Sequence, residues 1–209
     1  DRAHAIGAEH PHPVPAHDPE QLLLARGPVA AHLAEPCRDD DEPAHAGGAA
    51  LLGDLAHAHM PLALDHGEGV LRHLAARRGL GERVRVASAG THDYHVGECP
   101  DPRTMKHAQR RGYDLSSQRA MQLEPAHFHE YDYILAMDRT HMRQLRALAP
   151  ADATARLGLF LEASRRWKDA DVPDPYYGNP EGFEHVLDMV EEAAGQWLDR
   201  FEAELDPSR

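Results

Sequence analysis

The sequence has little with which to build a covalent scaffold or a basic surface. Two cysteines in 209 residues cannot make the disulfide framework of a small secreted domain. Lysine and arginine number 22 against 35 aspartates and glutamates, a formal net charge of -13. Clustered cations that would grip a phosphate backbone are therefore missing, and no nucleic-acid partner is expected. No run of 18 or more apolar residues occurs, so no helical membrane span is expected either. The first residues lack a cationic stretch followed by an apolar core, which makes a soluble cytoplasmic protein the expectation. There is no internal repeat. Aromatic residues make up only 6% of the chain, so the adjacent pair Tyr176-Tyr177 stands out.

What is present divides unevenly. Residues 1–48 are interrupted by Pro11, Pro13, Pro15, Pro19, Pro28, Pro36 and Pro43 and carry the acidic run Asp39-Asp40-Asp41-Glu42. Such composition reads as a disordered or loosely ordered extension, within which Gln21 to Arg26 reads as one helical turn or two. Residues 49–205 have the patterning and length of one domain, and 206–209 form a tail. From Glu68 to Leu80, apolar Val70, Leu71, Leu74 and Ala75 recur at helical spacing, with Gly81 as the stop. Val84 to Ser88 reads as a strand, Arg103 to Arg111 as a polar helix stopped by Gly112, and Tyr131 to Met137 as a fully buried strand. Arg139 to Leu148 is a helix ended by Pro150, and Arg156 to Leu161 another strand. Glu181 to Leu205 is a long helix with Phe183, Val186, Leu187, Val190, Ala194, Leu198 and Phe201 on one stripe. This alternation predicts an α/β fold with a three-layer, mostly parallel, four-stranded doubly wound sheet. The first strand is the weak point, with Ala49 to Leu55 its only candidate.

Several short runs carry chemistry. Asp174-Pro175-Tyr176-Tyr177-Gly178 places an acid beside two aromatics. Ahead of it, in order, stand Ser88-Ala89-Gly90-Thr91, Tyr94-His95-Val96-Gly97, Pro100-Asp101-Pro102-Arg103 and Ile134-Leu135-Ala136-Met137-Asp138. In sequence and spacing these runs resemble the low-molecular-weight protein tyrosine phosphatases over roughly residues 68–205. The resemblance implies hydrolysis of phosphotyrosine through a phosphocysteine, with no cofactor and no metal, on a phosphotyrosine protein or a small aryl phosphate. It gives Asp174 the part of general acid, protonating the leaving phenolate oxygen. Tyr176 and Tyr177 would flank the substrate ring, and Tyr94 with His95 would form the opposite wall. Ser88 and Asp138 would support the site from behind.

The family's nucleophile is not here. Its phosphate-binding loop, Cys-x5-Arg followed by Ser/Thr-Pro, lies between the first strand and the first helix. Six residues after Cys37 stands Pro43, and six after Cys99 stands Met105. The stretch Leu55 to His66 that occupies the loop's place offers imidazoles, apolar side chains and acidic Asp65. Phosphomonoester hydrolysis needs a strong nucleophile and a positive cradle, so the chain is expected to be inactive or severely impaired.

Each candidate also has a plainer reading. Asp174 between Pro173 and Pro175 can be an acidic turn residue held extended by its neighbours, and the tyrosines and His95 can be packing residues. Asp138 can simply cap the helix beginning at Arg139. Gln118 stands where many relatives have a histidine that supports the loop. His57, His59, His66 and His73 raise a metal-binding alternative, weakened by the absence of a paired cysteine motif. Cys99 reads as an unreactive cysteine, because Glu98 and Asp101 disfavour its thiolate. Arsenate reduction on the same fold would need a cysteine relay that Cys37 and Cys99 alone do not provide. Three functional classes remain: a partner-binding pseudophosphatase, a phosphatase with either an unexpected nucleophile or a loop hidden by an error in the reading of the gene, and a histidine-rich metal-binding module.

Overall fold

The computed structural model describes residues 22–26, 37, 62–93, 95–175 and 180–206. Its four strands are β1 (Leu22–Arg26), β2 (Arg85–Ala89), β3 (Tyr133–Ala136) and β4 (Arg156–Leu159), arranged in one sheet in the order β2-β1-β3-β4. The helices are α1 (Leu62–Arg77), α2 (Pro102–Arg110), α3 (His127–Glu130), α4 (Arg139–Leu148) and α5 (Pro180–Leu205), with a 3-10 turn at Phe160–Ala163.

β3 explains why there are three layers. Its residues are buried throughout, and the two-residue period of a strand sends alternate side chains to opposite faces. Tyr133 and Leu135, with Met137 just beyond, join Val70, Leu71, Val186, Val190 and Trp197 of α1 and α5. Ile134 and Ala136 join Phe128, Met142 and Leu145 of α3 and α4 on the other face. One continuous apolar run thus feeds two cores. Trp197 is fully buried, and its indole N–H donates to the Phe160 carbonyl at 2.7 Å, which removes the polar cost of burying that ring.

Most elements fall within a few residues of the reading from sequence, with three differences. Leu22–Arg26 is a strand, not a helical turn. It fills the centre of the sheet, paired with β2 on one side and β3 on the other, both antiparallel. A short apolar run does not declare its period; here hydrogen bonding on both edges decides it. The sheet is otherwise parallel in sense, β3 with β4 directly, so the α/β assignment holds with one reversed strand. The proposed first strand, Ala49 to Leu55, lies outside the described residues. Second, α1 begins at Leu62, six residues ahead of the predicted start. Third, Cys99 is not an unreactive free thiol but is disulfide-bonded to Cys37, with Cα atoms 6.1 Å apart.

Gly69 lies in the middle of α1, where glycine normally weakens a helix. A methyl there would collide with Cδ2 of buried Leu115 and stand 3.1 Å from Gln118 Nε2. Gly69→Ala should therefore destabilise the protein by roughly 1–2 kcal/mol, overpacking outweighing the better helix propensity. Urea denaturation reads this directly, and a stabilised variant would refute the close approach.

Candidate functional site

The site forms where β2 and β3 end and α1 begins, the edge at which open α/β sheets place ligands. Its geometry is organised by Glu68. That residue stands three before Leu71 and seven before Ala75, on the buried stripe of α1, and is only 4% exposed. Its Oε2 accepts from the Ser88 backbone N–H at 2.8 Å and from the Ser88 hydroxyl at 2.6 Å. Its Oε1 accepts from the Arg72 guanidinium one turn on. Burial raises the carboxyl's pKa, with Arg72 and the two Ser88 donors opposing. Ser88 is thus held by Glu68 through both its backbone and its side chain. Glu68 was not singled out from sequence, although a charge on an apolar stripe is the signal that finds it.

One turn earlier, Asp65 is 3% exposed. Burial, and then the charges of Glu68 and Asp101, push its pKa well above the carboxylate range. Gln118, itself buried, donates from Nε2 to the Asp65 carbonyl at 3.2 Å. His66 is fully buried, edge-on to Phe183 with ring centres 6.4 Å apart; neither ring nitrogen makes a well-formed hydrogen bond, the Thr104 backbone being the polar group beside it. Burial lowers its pKa to about 4. The start of α1 therefore presents groups that burial drives toward neutrality, in a place where the resemblance calls for a cationic cradle.

Asp138 follows β3 and caps α4: its Oδ1 accepts from the His141 backbone N–H at 2.8 Å and meets His141 Nδ1 at 2.7 Å. Half-burial pushes its pKa up, but the His141 donors prevail and hold it below the usual value. The capping role is fully used.

Asp174 is exposed, on a segment anchored to the same edge. The Val172 N–H donates to the Met137 carbonyl at 3.0 Å. Arg139 fastens the segment again, to Asp171 at 2.9 Å and to the Asp169 carbonyl at 2.6 Å. Prolines on both sides keep Asp174 extended. His95 is half-buried in the loop after β2, its Nδ1 2.8 Å from Glu98 Oε2. That loop is stitched to the facing segment by Gly97 N–H to Ala120 O at 2.8 Å and Ala120 N–H to Glu98 O at 2.9 Å. Tyr94, Tyr176 and Tyr177 lie outside the described residues, as do His57 and His59. His73 is edge-on to Tyr113 with ring centres 5.1 Å apart, remote in role from His66. Among the described residues no group of three or more His, Cys, Asp or Glu side chains could hold a metal ion.

Comparison with known proteins agrees with this architecture. The family model "Low molecular weight phosphotyrosine protein phosphatase" matches residues 65–207. A low molecular weight protein-tyrosine-phosphatase of Streptomyces coelicolor is 42% identical over 130 residues, 61% of this chain and 79% of that protein. The low molecular weight protein-tyrosine phosphatase A of Mycobacterium tuberculosis is 38% identical over 141 residues, 66% of this chain and 83% of its own. Among solved structures, YfkJ from Bacillus subtilis superimposes with a TM-score of 0.62 at 31% identity, covering 68% of this chain and 88% of that one. A protein tyrosine phosphatase from Entamoeba histolytica gives a TM-score of 0.63 at 28% identity, covering 67% and 88%.

His66 gives the site end a pH signature. Its pKa is 6.5 unfolded and about 4 folded, so the unfolded chain binds the proton first and stability falls as pH drops from 6.5 toward 4. The loss at pH 4 is about 3 kcal/mol. The raised pKa values of Asp65 and Glu68 act in the opposite sense, so the measurement is a difference. Relative to His66→Leu, the wild type should weaken progressively from pH 7 to pH 4 in chemical denaturation. A pH-independent difference would remove the buried neutral imidazole from the account.

Proposed function

The chain belongs to the low molecular weight phosphotyrosine protein phosphatase family, and from that membership we propose that it keeps the family's cleft as a binding surface without the family's phosphocysteine chemistry. One observation carries the reading: neither cysteine stands in a Cys-x5-Arg run, and the two sulfurs are bonded to each other. A disulfide sulfur is no thiolate, and the thiolate is the nucleophile this reaction needs.

The surroundings support the same conclusion. Arg72, the arginine closest in sequence to the start of α1, is committed to Glu68 and to the Ser117 hydroxyl at 3.0 Å. Buried Asp65 at that position opposes an incoming dianion as soon as it ionises. A general acid alone does not rescue the reaction: losing a nucleophile removes on the order of a millionfold in rate. Asp174 would be the retained acid, with Tyr94, His95, Tyr176 and Tyr177 as the retained walls. Any surviving activity would fall on a phosphotyrosine protein or a small aryl phosphate, and the aromatic walls otherwise suit an aromatic side chain of a protein partner. No helix among the described residues is long and apolar enough to cross a membrane, and a cytoplasmic setting is part of the proposal.

Hydrolysis of para-nitrophenyl phosphate tests it. The folded wild type and Asp174→Asn should both release no product above buffer, with or without chelator. Turnover that disappears in Asp174→Asn and ignores chelator would mean an active phosphatase with another nucleophile. Turnover abolished by chelator would point to metal chemistry instead.

A further inference from the structure

We propose that Cys37 and Cys99 form a redox-active site that exchanges with small monothiols, and that the exchange is directional: the incoming thiolate attacks Cys99 and Cys37 departs. The proposal is independent of whether the cleft binds or hydrolyses a phosphoester.

Both residues are half-buried. What separates them is electrostatics. The Arg119 guanidinium lies 2.7 Å from Cys37 Sγ. Two hydrogen bonds from the same nitrogen, to the Ser116 carbonyl at 3.0 Å and the Gln118 carbonyl at 2.7 Å, use its two hydrogens and hold the charge there. A guanidinium stays charged at any relevant pH, and a fixed cation beside sulfur stabilises the thiolate. Cys99 has the opposite neighbours, Glu98 and Asp101. Both are engaged, Glu98 by His95 at 2.8 Å and Asp101 by Arg103 at 2.9 Å, so the asymmetry rests on Arg119, which is fixed against Cys37 Sγ and lies one S–S bond farther from Cys99 Sγ. Exchange runs faster when the sulfur that leaves has the lower thiol pKa, so cleavage should expel Cys37.

The step balances as follows. A thiolate RS⁻ attacks Cys99 Sγ, the R–S–S–Cys99 bond forms, the Cys37–Cys99 bond breaks, and its electron pair leaves with Cys37 as a thiolate. A second RS⁻ attacks the R-bearing sulfur, releasing RSSR and the Cys99 thiolate. Two monothiols are oxidised and one protein disulfide is reduced to two thiols.

The local backbone favours reversal. After cleavage the Cys99 loop remains tied to Ala120 through the Gly97 and Glu98 bonds, while Cys37 is held by its N–H donating to the Ser116 carbonyl at 2.7 Å. Residues 116–120 therefore grip both halves of the pair, and the thiols stay close enough to be reoxidised.

The test uses the full chain and 2-mercaptoethanol, an uncharged monothiol that the acidic neighbours do not repel. Brief treatment, acid quenching and peptide mapping should place the mixed disulfide on Cys99 and free thiol on Cys37. Arg119→Gln should slow reduction roughly threefold and scatter the mixed disulfide over both positions, whereas Arg119→Lys should keep the wild-type pattern. In Cys99→Ser, alkylation of Cys37 by iodoacetamide should rise at lower pH than alkylation of Cys99 in Cys37→Ser. A mixed disulfide mainly on Cys37 in the unaltered chain, superimposable alkylation profiles, or no Cys37–Cys99 bond in the unreduced peptide map would each overturn the proposal.

Discussion

A buried carboxyl cannot be left without partners, and the placement of α1 against the sheet follows from how Glu68 finds its own. In the low dielectric of an interior, an unmatched charge costs more than the helix could recover by packing. Glu68 takes the Ser88 N–H and hydroxyl on one oxygen and Arg72 on the other. Those bonds fix both the rotation of α1 and its height relative to the end of β2. Gly69, the next residue, then faces Leu115 and Gln118, which lets the chain after α2 approach closely. Residues 116–120, just beyond, hold Cys37 and the His95 loop.

The same burial sets the chemistry of the site end. Asp65 is driven toward its protonated form and His66 toward its neutral one, so the first turns of α1 carry side chains without a settled charge of either sign. Cations in this part of the molecule are used to hold structure: Arg72 on Glu68, Arg103 on Asp101, Arg111 on Glu184. Among the described residues, an anion arriving at such a surface meets few uncommitted donors. What the family's reaction demands and what this fold's packing needs are in competition for the same arginines.

Much of this was legible in the sequence, for identifiable reasons. Tyr131 to Met137 announced a strand buried on both faces, and the 3.6-residue stripe of α5 announced a core helix; both signals are long and periodic. Asp138 before Arg139 announced a helix cap. The motifs around Ser88, His95 and Asp174 carried the family resemblance, which the comparisons bear out. Leu22–Arg26 was missed because a five-residue apolar run is decided by its neighbours in space, and those lie far along the chain. The Cys37–Cys99 bond was missed for the same reason, their 62-residue separation saying nothing about distance. Glu68 was readable in principle, since its spacing to Leu71 and Ala75 puts a carboxyl where only apolar side chains belong.

The direction of β1 bears on any attempt to restore catalysis. A phosphate loop of the family's kind is a short bend, and works when a strand delivers the chain straight to the N-terminus of the next helix. Here β1 runs against its neighbours, so that Arg26 pairs with Arg85 where β2 begins, while α1 starts where β2 ends. The strand's exit and the helix's first turn are thus at opposite ends of the sheet. A Cys-x5-Arg graft would therefore belong directly ahead of α1 and not at the end of β1, whose exit lies across the sheet.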